Sequence, residues 1–128
     1  MKNSEFNPVV RYFEKVSWNV SYDSFVYAYD YRLFFVALGN LTVELFDRTE
    51  TLVEGDAIVI PPGTAYRIKC DDYGFSYYIA GFDFTHENAE RKPHSPDEWE
   101  NFKKENIFSH KTMPPFNEVF LKKGCNAL

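Results

Sequence analysis

"GDAIVIPPGTAY", residues 55–66, is the stretch that decides the fold. Gly55-Asp56 breaks the chain, and Ala57 to Ile60 is a short apolar run that reads as a buried strand. Ile60 precedes a proline and is held extended, because the proline ring crowds a helical residue before it. Pro61 has no N–H to give to a ladder, so sheet pairing weakens there. Pro62-Gly63 fits the central positions of a type II turn, where proline presets φ and glycine accepts a positive one. The strand therefore stops sharply and reverses. "TAYRIKC" restarts it, with Tyr66, Ile68 and Cys70 on one face and Arg67 and Lys69 on the other.

Period-two alternation extends outward from this point. In "SWNVSY" Trp18, Val20 and Tyr22 alternate with polar residues, and in "SFVYAY" Phe25, Tyr27 and Tyr29 repeat the pattern. "RLFFVAL" (32–38) is more continuously apolar, as in a strand covered on both faces. Gly39-Asn40 then separates it from "LTVELF", so 32–38 and 41–46 are expected to pair as a hairpin through a type II′ turn. A polar turn near Asp47-Arg48 leads to "TETLV", and "FSYYIAGFDF" (75–84) is a long strand. Further on, Ser95, Pro96 and Glu98 read as N-cap, first helical position and capping-box partner of a short helix over about 96–105. Trp99 and Phe102 share its apolar face, and "IFSH" and "NEVFLKK" read as late strands around Met113-Pro114-Pro115.

Composition agrees with an all-β domain. The chain has 128 residues, enough for one core, and its thirteen Phe and nine Tyr suit a pleated, half-buried surface. A net charge of −5 argues against direct nucleic-acid binding by these residues, which would need a basic face. Cys70 and Cys125 form no C-x-x-C, so free thiols in a reducing cytoplasm are expected. The first residues, "MKNSEFNPVV", carry no apolar h-region, so a signal peptide is not expected, and no apolar run approaches the length of a membrane span. Short strands with frequent turns imply a barrel or sandwich, whose interior holds side chains or one small ligand.

Gly55, Pro61 and Gly63 fit the spacing of the second motif of the cupin jelly roll, with Tyr66 where that motif has its metal-binding His. More broadly, residues 20–90 resemble the N-terminal sensor domain of AraC-family transcription regulators. Asp30, Tyr31, Leu33, Gly39, Gly55, Asp56, Pro61, Pro62, Gly63, Phe82, Asp83 and Phe84 match, whereas Arg32 stands where many members carry Glu. The resemblance implies a cupin-like double-stranded β-helix, a jelly-roll barrel, with about 10–85 as core barrel, a short helix at 96–105 and late strands over 106–128. It further implies a small effector, often a sugar, bound in the barrel. DNA binding would belong to a C-terminal helix-turn-helix domain absent from these residues, with a homodimer possible, a cytoplasmic location and no membrane partner.

Within that frame the candidate ligand contacts are Tyr66 and Ile68 on one strand, and Tyr77, Ile79 and Gly81 on the long strand. Trp18, Tyr27, Tyr29 and Arg32 come from earlier strands. Rings stack on the C–H faces of sugars, while hydroxyls and Arg bond sugar oxygens. For each ring, plain core packing is the competing explanation. Catalysis finds little footing. A cupin enzyme typically needs a metal held by several His and a Glu, and His86, His94 and His110 all follow the main strand block in polar surroundings. No G-x-S-x-G elbow is present either. We therefore expect a binder with no cofactor, metal or catalytic residue. The rival readings are a stand-alone cupin enzyme, such as a sugar epimerase or isomerase, and a dimerisation module with a filled barrel.

Overall fold

The computed structural model describes residues 9–17, 21–70, 75–84, 92, 95–108 and 115–124. Nine strands lie among the described residues: β1 (Val9–Val16), β2 (Val26–Tyr27), β3 (Tyr31–Leu38), β4 (Asn40–Glu44), β5 (Thr49–Val53), β6 (Ala57–Ile60), β7 (Ala65–Lys69), β8 (Ser76–Asp83) and β9 (Phe120–Lys122). A five-stranded sheet runs β1-β8-β3-β6-β9 and a four-stranded one β2-β7-β4-β5, with antiparallel pairing throughout.

The two sheets enclose one core. Each strand gives alternate residues to it: Phe34 and Val36 from β3, Leu41 and Val43 from β4, Ile58 and Ile60 from β6, Tyr66 and Ile68 from β7, Tyr77 and Ile79 from β8. The opposite face of β3 is also covered, because Tyr31 packs with Val59 and Phe84, and Leu33, Phe82, Phe116 and Phe120 close over them. That double burial explains the unbroken apolar run of 33–38, as β3 lies in the middle of its sheet. Burying one such side chain contributes about 1.5–3 kcal/mol. Exposed pairs such as Arg48 with Asp47 and Glu50 contribute about 0–1 kcal/mol, so the interior holds the sheets together.

The turn chemistry of the opening motif is realised. β6 ends at Ile60, Gly63 has φ +76° and its N–H donates to Ala28 O at 3.0 Å. Gly55, also at positive φ, donates to Val36 O at 2.8 Å.

Three local expectations are corrected. Residues 32–38 and 41–46 do not pair: β3 pairs with β6 and β8, and β4 with β5 and β7. Gly39, at φ +75°, turns the chain from one sheet to the other, and only this crossing puts both Phe34/Val36 and Leu41/Val43 inside. The helix over 96–105 is also absent. Asp97 forms a backbone bridge with Tyr27, through hydrogen bonds of 2.8 and 3.1 Å, at the second position of the expected helix. Beyond the bridge the chain makes a single turn, Phe102 N–H to Glu98 O at 2.9 Å, and then a 3₁₀ turn at Lys104–Asn106. Pairing with Tyr27 and the tilted packing of Trp99 and Phe102 against its ring outweigh the capping signals. Of the late strands, β9 covers part of "NEVFLKK", while residues 107–108 of "IFSH" are not in a strand. A further strand, β1, was not singled out by its pattern, because Glu14 interrupts the inward series Tyr12, Glu14, Val16. No helix among the described residues is long and apolar enough to cross a membrane.

Candidate functional site

The site lies on the inner face where β1, β8 and β3 run side by side. Tyr12 and Arg32 both sit opposite Gly81, and Arg32 also sits opposite Ile60. Directly opposed residues point to the same face of a sheet, so Tyr12 and Arg32 flank a position with no side chain. Asp30 fills that gap. Its Oδ2 lies 2.9 Å from where a Cβ on Gly81 would be, which is too close for any other residue there. Arg32 Nε donates to Asp30 Oδ1 at 2.9 Å, and both side chains are buried. The guanidinium lies 5.9 Å from the centre of the Tyr12 ring, whose hydroxyl donates to Glu14. The room left by the missing side chain at Gly81 is taken by a buried ion pair.

Facing this pair from the second sheet is Tyr66, fully buried on β7. Its ring packs 5.7 Å from Phe34 and 6.2 Å from Tyr22, and Phe34 lies 6.0 Å from Tyr77. Ile68 and Ile79 join the same cluster. Oδ2 of Asp30 is buried without a hydrogen-bond partner among the described residues, and the buried Tyr66 hydroxyl has only the Tyr22 phenol within reach, short of full hydrogen-bond geometry. A buried polar atom left unpaired costs about 1–3 kcal/mol.

Electrostatics of the cluster follow from burial. Desolvation raises the Asp30 carboxyl above its ordinary range, and the opposing pull of Arg32 and Arg11 does not restore it. Desolvation also raises the phenols of Tyr22, Tyr66 and Tyr77, Tyr66 furthest, and pushes Tyr12 to about 12. At neutral pH these tyrosines are neutral and present O–H groups that can donate and accept.

Six of the nine candidates therefore meet in the interior: Arg32, Tyr66, Ile68, Tyr77, Ile79 and Gly81. Tyr27 and Tyr29 do not. They point outward, because the smaller Val26 and Ala28 take the inward positions of that segment. Tyr27 packs 5.3 Å from Phe102, and Tyr29 stacks on it at 4.9 Å and donates to Asp97 Oδ2 at 2.6 Å. Trp18 lies outside the described residues, as do His86, His94, His110 and Cys125. Sequence reasoning missed Asp30, Tyr12, Glu14 and Tyr22. Asp30 was recoverable, since it stands two residues before Arg32 and shares its face.

The residues at the position of the jelly-roll metal ligand do not fit a metal. Tyr66 is a neutral phenol there, its neighbours Phe34 and Ile68 have no donor, and the nearby Arg32 brings a positive charge. Among the described residues no three His, Cys, Asp or Glu side chains converge as a ligand set. Cavities among the described residues lie elsewhere. One of about 370 Å³ is walled by the 45–48 turn, Pro61, Thr64, Ala65 and residues 117–119; another, of about 310 Å³, lies between Pro62-Gly63 and the 99–107 segment.

No protein-family model matches the chain, and no curated protein matches it. Solved structures do. A deletion mutant of oxalate decarboxylase from Bacillus subtilis is 13% identical with a TM-score of 0.50, covering 68% of this chain and 22% of that one. A cupin-2 domain protein from Shewanella frigidimarina is 22% identical (TM-score 0.48), covering 62% of this chain and 82% of that one. ToxT from Vibrio cholerae is 11% identical (TM-score 0.40), covering 54% and 30%. At these identities the likeness concerns the fold alone. The architecture, all-β with two antiparallel sheets around one core, is that of a cupin.

Proposed function

We propose that this cupin barrel is the ligand-sensing domain of an AraC-type bacterial transcription regulator, working in the cytoplasm. A small polar effector, carbohydrate as the first class to try, would bind between the sheets, and DNA contact would belong to a helix-turn-helix portion outside these residues. The observation that carries this reading is a pair of under-satisfied polar atoms in the interior, Asp30 Oδ2, which has no partner among the described residues, and Tyr66 Oη, which has only the Tyr22 phenol within reach. One can donate and the other accept, and a ligand hydroxyl satisfies both kinds of partner. Tyr22 and Tyr77 belong to the same cluster, and their rings suit sugar C–H faces. The motif match across residues 20–90 supplies the regulatory context. In this reading the barrel binds and does not catalyse. It acts by linkage: an effector that prefers one conformation shifts the balance of DNA-binding states by its difference in affinity, in a homodimer if the domain assembles.

The rings themselves favour a second reading, a structural or dimerisation module. Phe34, Tyr66 and Tyr77 are fully buried and mutually packed, as in a plugged barrel. Thermal-shift screening of the protein against mono- and oligosaccharides separates the two. A ligand at a hundred times its Kd stabilises by about 2.7 kcal/mol. At this chain length that is roughly a 6–12 °C rise in Tm. A compound that gives such a rise supports the sensor; no rise across the panel favours the plugged module.

A further inference from the structure

A second site is built on the outside of the barrel, where the Pro62-Gly63 turn faces the segment carrying Trp99. The cleft, about 310 Å³, is lined by Pro62, Gly63, Trp99, Phe102, Lys104 and Ile107. Both walls are fixed to the same short stretch of chain. Gly63 N–H donates to Ala28 O at 3.0 Å on one side. On the other, Tyr27 exchanges backbone hydrogen bonds with Asp97, the Tyr29 hydroxyl accepts from Lys103 N–H at 3.2 Å, and Phe108 N–H donates to Tyr29 O at 2.8 Å. Such a cleft is formed before any ligand arrives.

Its chemistry is specific. Trp99 is 70% exposed although it is stacked on Phe102 at 6.4 Å and tilted against Tyr27 at 5.3 Å. A large indole held in place by two rings yet left open to solvent is a ready stacking surface. Lys104 is the one charged side chain lining the cleft among the described residues, and no ion pair ties it to an acid there. We infer that this cleft binds a flat aromatic monocarboxylate, with the ring against Trp99 and the carboxylate beside the Lys104 ammonium. The site is independent of the barrel interior. It gives a role to Trp99 and to the Pro62-Gly63 turn, which the interior site does not use.

Calorimetric titration with indole-3-carboxylate, and with the neutral indole-3-carboxamide as its isostere, tests this. The carboxylate should bind more tightly than the carboxamide, and its affinity should fall with added salt. Trp99→Ala should weaken both probes about tenfold or more. Lys104→Gln should weaken the carboxylate about two- to fivefold and leave the carboxamide unchanged. Tyr66→Phe, inside the barrel, should change neither. Circular dichroism melts of each variant confirm that it is folded. The inference is overturned by absence of binding at millimolar probe, by equal affinity for the two probes, by wild-type affinity in both cleft variants, or by loss of binding in Tyr66→Phe.

Discussion

Replacing Gly81 by Ala tests the inner architecture through a single methyl group. The backbone at Gly81 is not in the positive-φ region, so strain plays no part. In an ordinary strand the change would stabilise the fold by about 0.4–1 kcal/mol, because alanine has less chain entropy to lose. Here the new Cβ would lie 2.9 Å from Asp30 Oδ2 and 3.3 Å from Oδ1. The carboxylate would have to retreat by roughly half an ångström to reach ordinary contact. It is held by Arg32 Nε at 2.9 Å, and both groups are buried, so the retreat strains an ion pair that has no water to fall back on. Removing one partner of such a pair costs about 3–5 kcal/mol. Displacement without removal should cost about 2–3 kcal/mol, a fall in Tm of roughly 6–12 °C at this size. The double mutant Asp30→Ala/Arg32→Met removes both charges together and serves as the reference background. There, Gly81→Ala should be neutral or stabilising. Wild-type Tm for the single Gly81→Ala variant, or an equal loss in both backgrounds, would show that the close approach of Asp30 to Gly81 carries no such cost.

Three more outcomes rest on the same packing. Asp56 accepts from Val53 N–H at 2.9 Å, Gly124 N–H at 3.1 Å and Lys123 Nζ at 3.1 Å, so Asp56→Ala should cost about 1–3 kcal/mol and speed amide exchange in β9 first. Burial pushes the Asp56 carboxyl up, these bonds pull it below its unfolded value of 3.8, and its stabilisation should be complete above that pH and fade as pH falls below it in acid melts. Desolvation raises Tyr12 and Tyr31 to about 12, and raises Tyr22, Tyr29, Tyr66 and Tyr77 as well. In the unfolded chain these phenols ionise near 10, so stability should fall as pH rises above 10, and ultraviolet titration should show phenolate appearing late and with unfolding. Tyr29→Phe removes the hydroxyl shared by Asp97 and Lys103 N–H, and should loosen residues 97–108 at a cost of about 1–2 kcal/mol, read as faster exchange at the Phe108 amide.

How far the sequence reveals this molecule depends on the range of the interaction involved. The Pro61-Pro62-Gly63 stop, the Gly55 break and the inward face of Tyr66 and Ile68 are local consequences of proline, glycine and period two, and all three are present. The route from β3 to β4 is not local. A Gly-Asn pair suits a hairpin and a sheet-to-sheet crossing alike, and burial of both strands' apolar faces decides between them. The helix signals at Ser95 to Glu98 lost for a similar reason, since pairing of Asp97 with Tyr27 depends on a segment some seventy residues earlier. In the site, the inward parity of Arg32, Tyr77, Ile79 and Gly81 was legible. The partnership of Gly81 with Asp30 was not, because it rests on a close approach between neighbouring strands. Tyr27 and Tyr29 show the limit of alternation, which groups residues by face without saying which face is inside.

In the sensor reading the interior polar atoms await a ligand. It is tested most directly by comparing Tyr66→Phe with the wild-type protein in the same thermal-shift assay, with and without a compound that stabilises the wild type. Removing a poorly paired buried hydroxyl should leave the ligand-free Tm unchanged or raise it by a few degrees, while the ligand-induced rise should disappear or shrink to a small fraction. A ligand-free Tm that drops by many degrees, or a full ligand-induced rise in Tyr66→Phe, would contradict it.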